Sequence, residues 1–361
     1  MIINKERYSF IKRIAVFFAF ILLAFNVSIA ADDQYKDQGH AEEFNPGTMI
    51  VEHVVDAHEW HILTWGDKHI SIPLPVIIYH KGNLDVFMSG KFHHGHDEYK
   101  GYKLELEGEN KGKIVDAETG ELPLDLSITK NVLAMLISMM LLAIIFISIG
   151  KSYTRRKDMA PKGLQSLLEP LILFIRDDVA KASIGEKKYE KYLPYLLTIF
   201  FFIFFNNLLG LVPIFPGGAN LTGNIAVTGV LAVFTFVITT FSGNKNYWVH
   251  IVNTPGVPWW LKIPVPLMPI VELMGVFTKP FVLMVRLFAN ITAGHIIVLG
   301  FMSLIFIFGK MSPGIGYGVS FVSVGFAVFM LLLELLVAFI QAYVFTLLSA
   351  LYFGMATEEH H

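Results

Sequence analysis

Apolar residues are distributed unevenly along this chain, and their pattern divides it into three parts. An apolar run from Ile14 to Val27 follows a basic N-terminus, and a more polar region extends from there to about residue 125. From Ile128 onward, long apolar stretches alternate with short polar joints. Runs of about 20 apolar residues cross the ~30 Å hydrocarbon core of a bilayer as helices. The pattern therefore predicts an all-α polytopic membrane domain over residues 126–361.

The first apolar run has the features of a secretory signal peptide. Basic residues precede it, and Ser28 and Ala30 supply the small side chains that signal peptidase requires before its cut. We therefore expect residues 1–30 to be removed. An uncleaved transmembrane anchor is the alternative interpretation, but the run is short and is followed at once by Asp32 and Asp33.

Residues 31–125 are predicted to form a small β-rich N-terminal ectodomain. Apolar and polar side chains alternate over 60–65, 69–74, 102–106 and 113–115, and the first two stretches are joined by a turn at Gly66-Asp67. Nine of the 13 histidines lie in this region, so a metal site has to be considered. Their spacing matches no closed zinc pattern, and solvent-facing histidines are the simpler interpretation.

The membrane domain is predicted to contain three ordinary spans and two longer apolar segments. The spans cover 128–149, 192–212 and 221–241, an amphipathic surface helix covers 165–181, and the long segments cover 267–309 and 319–353. The first span ends at a basic cluster that includes Lys151 and Arg155, which marks that end as cytoplasmic. The ectodomain is accordingly expected outside the membrane, and the C-terminus inside.

Each long segment exceeds what an upright span can hold. As one helix, residues 267–309 would reach ~65 Å, about twice the hydrocarbon thickness. Either the helix breaks, for which Pro280 is the obvious site, or it lies strongly tilted. We favour two long tilted helices that form a hairpin around residues 310–318, because both segments carry polar residues at helical spacing far from their ends.

The polar residues of the first long segment form a stripe. Glu272, Lys279 and Arg286 are each seven residues apart, so they advance only ~20° per step around a helix. Asn290 lies one turn beyond Arg286, and we expect Lys279 to pair with Glu272. An arginine at membrane depth costs ~2.5 to 3.5 kcal/mol even on lenient scales, so its charge is expected to be used.

Three further polar residues lie deep in the two long segments. His295 follows Arg286 by nine residues and is predicted to face away from the stripe, whereas Glu334 and Gln341 share one face of the last segment with Ala338 between them. Taken singly, each has a plain interpretation, such as a hydrogen bond between helices or a buried core histidine. An arginine, a histidine and a glutamate together at membrane depth favour ion transfer.

Composition agrees with a membrane protein and narrows the chemistry. The chain is 54% hydrophobic and 16% charged, against ~25% charged residues in soluble proteins. The absence of cysteine excludes disulfides and thiol chemistry. We expect a lipid bilayer and no nucleic acid as partner, and no cofactor or metal.

Several motifs resemble those of the a subunit of the bacterial F-type ATP synthase. They comprise Arg286-Leu287-Phe288-Ala289-Asn290 with Ala293-Gly294-His295, the ending from Gln341-Ala342-Tyr343-Val344-Phe345 to His360, Pro161-Lys162-Gly163-Leu164-Gln165, and Asn206-Asn207-Leu208-Leu209-Gly210-Leu211-Val212-Pro213. The resemblance covers roughly residues 160–361. It implies that Arg286 is the stator arginine facing the rotating c-ring, that Gln341 lies beside it and Asn290 lines the same interface, and that Glu272 lies in the half-channel to the cytoplasm.

Two positions depart from that family's pattern. Many bacterial members have a glutamate where this chain has His295 and a histidine where it has Glu334, so the pair is exchanged between the two helices. The two residues can still form one proton-relaying couple if they face each other. Gly210 stands where the family often carries an acidic residue, which puts a contribution from that span to the outer channel in doubt.

The resemblance implies a stator subunit of the ATP synthase membrane sector, itself without bond-making chemistry. Two proton half-channels would protonate and deprotonate the c-ring carboxylate and so couple proton flow to rotary ATP synthesis. The expected partners are the c-subunit ring, the b subunits and the rest of the complex, in a bacterial inner membrane with the ectodomain in the periplasm. A proton-coupled secondary transporter is the alternative, but it would usually show internal repeats, which this chain lacks. An intramembrane metalloprotease would need a His-Glu-x-x-His motif, which no membrane segment has.

Overall fold

The computed structural model describes residues 46–47, 55–65, 68–106, 108, 110–155, 160–212, 215–252 and 267–358. The predicted signal peptide and the Gly66-Asp67 turn lie outside the described residues. Residues 64–69 fall in a unit separate from the described remainder of the chain.

Among the described residues, seven strands in three small sheets precede the first long helix. They are β1 (Glu59–Trp65), β2 (Lys68–Pro73), β3 (Pro75–His80), β4 (Asn83–Met88), β5 (Tyr102–Leu104), β6 (Ile114–Asp116) and β7 (Leu124–Asp125), paired as β1-β2, β4-β3-β7 and β5-β6. A 3₁₀ segment, Ser89–Gly95, follows β4. Alternate residues of β3, Val76 and Ile78, are fully buried against Phe87 and Phe92 and form the core of this part.

The sequence analysis did not predict the β3–β4 hairpin. Its two-residue loop is Lys81 and Gly82, and both have positive φ angles, of 49° and 88°. This conformation suits the right-handed twist of paired strands, and glycine adopts it without strain. The sequence signal for this hairpin was the Lys81-Gly82 pair between two stretches in which apolar and polar residues alternate.

The second part of the chain is helical. Its elements are α1 (Lys130–Arg155), α2 (Leu164–Phe174), a π-helical stretch (Ile175–Lys181), α3 (Ala182–Ile184), α4 (Tyr189–Leu211), α5 (Ile225–Ser242), α6 (Lys245–Val252), α7 (Leu267–Met311) and α8 (Pro313–Thr357). Five of them, α1, α4, α5, α7 and α8, are long and apolar enough to cross a membrane. These helices confirm the prediction of a multi-pass helical membrane protein.

The two long segments are continuous helices. α7 and α8 contain 45 residues each, and α7 continues through Pro280 without ending there. Only Ser312 separates the two helices. A helix of this length reaches ~68 Å, so it fits into a ~30 Å hydrocarbon core only if it is tilted. The tilt itself stays a prediction.

α8 packs closely against α4 and α7 through small residues. Ala338, Ala342 and Ala350 are all buried, and small side chains let helix backbones approach closely in a membrane. Aromatic rings fill the space beside them, including Tyr192 of α4, which stacks on Phe353 of α8 at 5.0 Å between centroids. This packing fixes one face of α8 towards the interior of the helical part.

Candidate functional site

Arg286 lies on the exposed surface of α7. Its neighbours Leu283 and Leu287 are buried at 1% exposure each, so these two side chains anchor the turn that carries Arg286. Asn290 and Ala293, which continue the predicted stripe, are also exposed. No carboxylate of the described chain makes an ion pair with the guanidinium of Arg286. The charge is therefore presented outward, on a helix that is otherwise apolar.

The polar residues of α8 are buried. Glu334 and Gln341 are 8% and 7% exposed, and Ala338 between them is 1% exposed, so the predicted common face is buried. Within the described residues, no hydrogen bond joins Gln341 to Arg286. Their adjacency at the c-ring interface stays a prediction.

Glu334 packs directly against Gly294 of α7. A Cβ atom placed on Gly294 would overlap the Glu334 carboxylate, so only glycine leaves room for this side chain. Both carboxylate oxygens are buried without a hydrogen-bond partner in the described part of the chain. No basic group of the described residues pairs with this carboxyl group, and a buried polar group without a hydrogen bond costs free energy.

His295, the residue after Gly294, is half-buried and lies near the end of α4. Its Nε2 atom is 3.7 Å from the position that a Cβ atom on Gly210 would occupy. The family that this chain resembles often has an acidic residue at the position of Gly210. Such a carboxylate would lie beside this imidazole. His295 and Glu334 are brought to neighbouring positions on the α7–α8 contact, but no direct hydrogen bond between them is present in the described residues.

Two buried polar residues lie near the turn of α8 that carries Glu334: Asn207 was quoted from the sequence only as part of a motif, and Thr222 was not singled out. The Nδ2 atom of Asn207 in α4 donates to the Ala338 carbonyl at 3.2 Å, one helical turn after Glu334. The Thr222 hydroxyl donates to Asn207 Oδ1 at 2.6 Å. The signal that could have identified this contact was an Asn206-Asn207 pair inside an apolar span.

Glu272 and Lys279 do not form the predicted ion pair. The Lys279 ammonium lies 5.5 Å from the centre of the Tyr352 ring, and no salt bridge to Glu272 is present in the residues described. A seven-residue separation is ~10.5 Å along a helix, and the electron-rich face of an aromatic ring is a closer site for the cation. Glu272 lies near Tyr247 of α6, where burial raises the pKa of the phenol and the Glu272 charge raises it further.

Histidines of the β-rich part face carboxylates. The pairs are His58–Asp125 at 2.8 Å, His80–Asp116 at 3.2 Å, His93–Asp97 at 2.7 Å and His94–Glu59 at 2.9 Å. Over the described ranges, no three histidine, cysteine or acidic side chains are placed to hold a metal ion. The histidines therefore act as tethers between segments in this structure.

Comparisons with known proteins match both parts of the chain. A family model described as ATP synthase A chain matches residues 132–354, and one described as a domain of unknown function matches residues 49–132. "ATP synthase subunit a" of Pelodictyon phaeoclathratiforme is 38% identical over 364 aligned positions, which cover 98% of this chain and 95% of that protein. "ATP synthase subunit a" of Chloroherpeton thalassium is 47% identical over 245, covering 65% and 69%. "ATP synthase subunit a 2" of Chlorobaculum tepidum is 50% identical over 239, covering 64% of each chain.

The five long apolar helices define a multi-pass membrane protein. The first family model spans more than half of the chain, and the Pelodictyon phaeoclathratiforme relative matches nearly all of it. The chain belongs to the ATP synthase A chain family.

Proposed function

We propose that this chain is the stator subunit of an F-type ATP synthase membrane sector and moves protons to and from a carboxylate on a rotating c-ring. The observation that carries the proposal is the exposed position of Arg286 on an apolar helix. A guanidinium in lipid is costly, and a partner bearing an acidic group would remove that cost. Asn290 and Ala293 line the same exposed face.

The outer half-channel uses the buried polar groups behind that face. A proton from the outer side reaches His295 and then Glu334, whose unpartnered carboxyl group passes it to the c-ring carboxylate. Asn207 and Thr222 hold the α4 side of this path through their hydrogen bonds. The protonated c-ring carboxyl group is neutral and can turn through lipid.

The inner half-channel lies at the other end of α7, near Glu272. After almost a full turn the c-ring carboxyl group meets Arg286 and Gln341, and the fixed positive charge favours its ionised form. The released proton leaves past Glu272. Arg286 also blocks a direct leak between the half-channels, because it repels protons and stays charged at any accessible pH.

The remaining parts set the orientation in the cell. Residues 1–30 act as a signal peptide, residues 31–125 form a periplasmic domain, and residues 126–361 form the translocating domain with its C-terminus in the cytoplasm of a bacterial cell. The b subunits and the rest of the complex complete the stator. The basic cluster in the last turns of α1, which includes Lys151 and Arg155, supports this orientation.

Photocrosslinking tests whether a c-ring covers the Arg286 face. The chain has no native cysteine, so Ala289→Cys in α7 can carry a single benzophenone. Ile147→Cys in α1, a side chain that is 56% exposed, is the matched control on another apolar helix. We expect a crosslink to the c subunit from position 289 and none from 147. A crosslink from 289 to lipid alone would contradict the proposal.

A further inference from the structure

A short segment of the β-rich part is clamped onto the start of α1. The carboxylate of Asp56 accepts hydrogen bonds from the Asn131 amide at 3.0 Å and the Thr129 hydroxyl at 2.7 Å. The Ala57 carbonyl accepts from the Lys130 amide at 2.9 Å. An acidic side chain at a helix N-terminus satisfies free amides and complements the helix dipole. These bonds hold residues 55–57 over the outer end of α1.

The residues at this clamp are polar and buried. Lys130 is 9% exposed, and its ammonium donates to the Val55 carbonyl at 3.4 Å. Asn131 is 3% exposed, and its Oδ1 atom has no hydrogen-bond partner among the described residues. A buried acceptor without a partner bears the cost of losing its hydrogen bonds to water. That cost is avoided if Asn131 contacts water on a hydrated path.

The clamp lies close to His295. The Lys130 charge is near enough to act on the His295 imidazole. A second line of contacts leads to the same place: Ala134 of α1 shares an apolar cluster with Ala219. The Ala219 carbonyl and His295 Nε2 lie 3.4 Å and 3.7 Å from the same point, the site of a Cβ atom on Gly210.

An apolar wall closes one side of this region. Trp60 of β1 is 3% exposed, packs on Ala134 and Ala219, and meets the Phe215 ring edge-on at 5.1 Å. Asn220, the residue after Ala219, is buried with its Nδ2 atom unpartnered in the described part of the chain. Buried polar groups therefore lie between the clamp and His295, whereas the side formed by Trp60 is apolar.

We propose that residues 55–57 and the start of α1 form the outer mouth of the proton path, with Asp56, Lys130 and Asn131 as its entrance residues above His295. This inference rests on the proposed function. It assigns the β-rich part a role in the membrane reaction, because that part supplies Asp56 and the Val55 carbonyl.

Cysteine substitution followed by Ag⁺ treatment tests the entrance directly. Asn131→Cys and Val55→Cys each introduce the only thiol of this chain, and Val55 is 50% exposed, so that thiol is accessible even if position 131 tolerates change poorly. Intact cells are treated with Ag⁺ from outside, and vesicles made from them are assayed for ATP-driven proton pumping. Glu98→Cys, an exposed position away from the clamp, is the matched control.

The pumping of each variant is compared with its own untreated rate, and the expected result is a loss of more than half after Ag⁺ at positions 55 and 131 and no loss at position 98. If Ag⁺ leaves pumping unchanged at both positions 55 and 131, the proposed entrance is wrong. Inhibition of Glu98→Cys to the same extent would also overturn it, because the effect would then not be local. Failure of the untreated, unsubstituted complex to pump is a different outcome, which would contradict the proposed function itself.

Discussion

Gly294 and Glu334 face each other so closely at the α7–α8 contact that a side-chain carbon on the glycine would overlap the carboxylate. The pair explains how a long acidic side chain is buried between two tightly packed helices. His295 is the next residue along α7 after the glycine. Glycine is needed at position 294 for space, since the helical backbone there has no unusual φ angle.

Filling that space is predicted to impair proton transfer. Gly294→Ala forces Glu334 to move, and overpacking of this kind costs ~1–3 kcal/mol. We expect ATP-driven pumping to fall by about tenfold, which corresponds to ~1.4 kcal/mol in the barrier. Gly300→Ala is the control on the same helix, because a Cβ atom there meets nothing within 4 Å. Equal pumping by both variants would show that the Glu334 position is unimportant.

His295 and Glu334 are predicted to act as one relay. His295→Ala and Glu334→Ala should each slow proton uptake from the outer side, and the double variant should be little worse than either single one, because residues in one network couple. The double exchange, His295→Glu with Glu334→His, should recover more pumping than either single exchange. If the alanine effects simply add in free energy, the two residues act separately.

The β-rich part is predicted to loosen in acid because of Asp116. Backbone donation from Thr119, together with Lys81 and Glu118, holds the pKa of this carboxyl group below its ordinary value of 3.8. A depressed pKa means that the ionised group stabilises the fold above 3.8 and that this contribution disappears as the pH falls through the folded-state pKa.

Hydrogen exchange of the Glu118 and Thr119 amides measures this effect. In Asp116→Asn these two backbone amides should exchange faster at neutral pH than in the unsubstituted chain. The uncharged side-chain oxygen of asparagine is a weaker hydrogen-bond acceptor than the aspartate carboxylate. This difference in exchange rate should shrink as the pH falls below the usual pKa of an aspartate, because the carboxylate then takes up a proton. A difference that stays constant down to strongly acidic pH would exclude ionised Asp116 as its source.

Orientation is tested by labelling from outside the cell. Asp97→Cys, whose native side chain is 61% exposed, should react with a membrane-impermeant thiol reagent in intact cells. Glu358→Cys, at an exposed position just after α8, should react only after the membrane is opened. Labelling of position 358 in intact cells would contradict the proposed topology.

Periodicity predicted the helical part well, because long apolar runs leave few alternatives. The stripe of Arg286 and Asn290 was visible as a spacing, and both residues are exposed in the structure. The fit of Glu334 on Gly294 was not predictable, since it depends on how two helices pack. The Glu272–Lys279 pair was predicted wrongly because the spacing could not reveal the competing Tyr352 ring on α8.

The β-rich part was harder to predict from its sequence. The β3–β4 hairpin has only a Lys81-Gly82 loop as its turn signal, and the clamp of Asp56 on α1 joins residues about 75 positions apart. Contacts of that separation leave no periodic pattern. The histidines were visible only as a cluster, and their pairing with carboxylates such as Asp125 depends on the folded sheets.

The central claim is that the outward-facing charge of Arg286 drives exchange with the c-ring, and ATP-driven proton pumping by Arg286 variants tests it most directly. Val285→Ala, at an adjacent side chain that is 36% exposed, is the matched control and should pump normally. Arg286→Ala should hydrolyse ATP without pumping, and Arg286→Lys should fail as well, because an ammonium is shorter, has a different geometry and loses its proton more readily when buried. Pumping by either Arg286 variant at the rate of the Val285→Ala control would contradict the account.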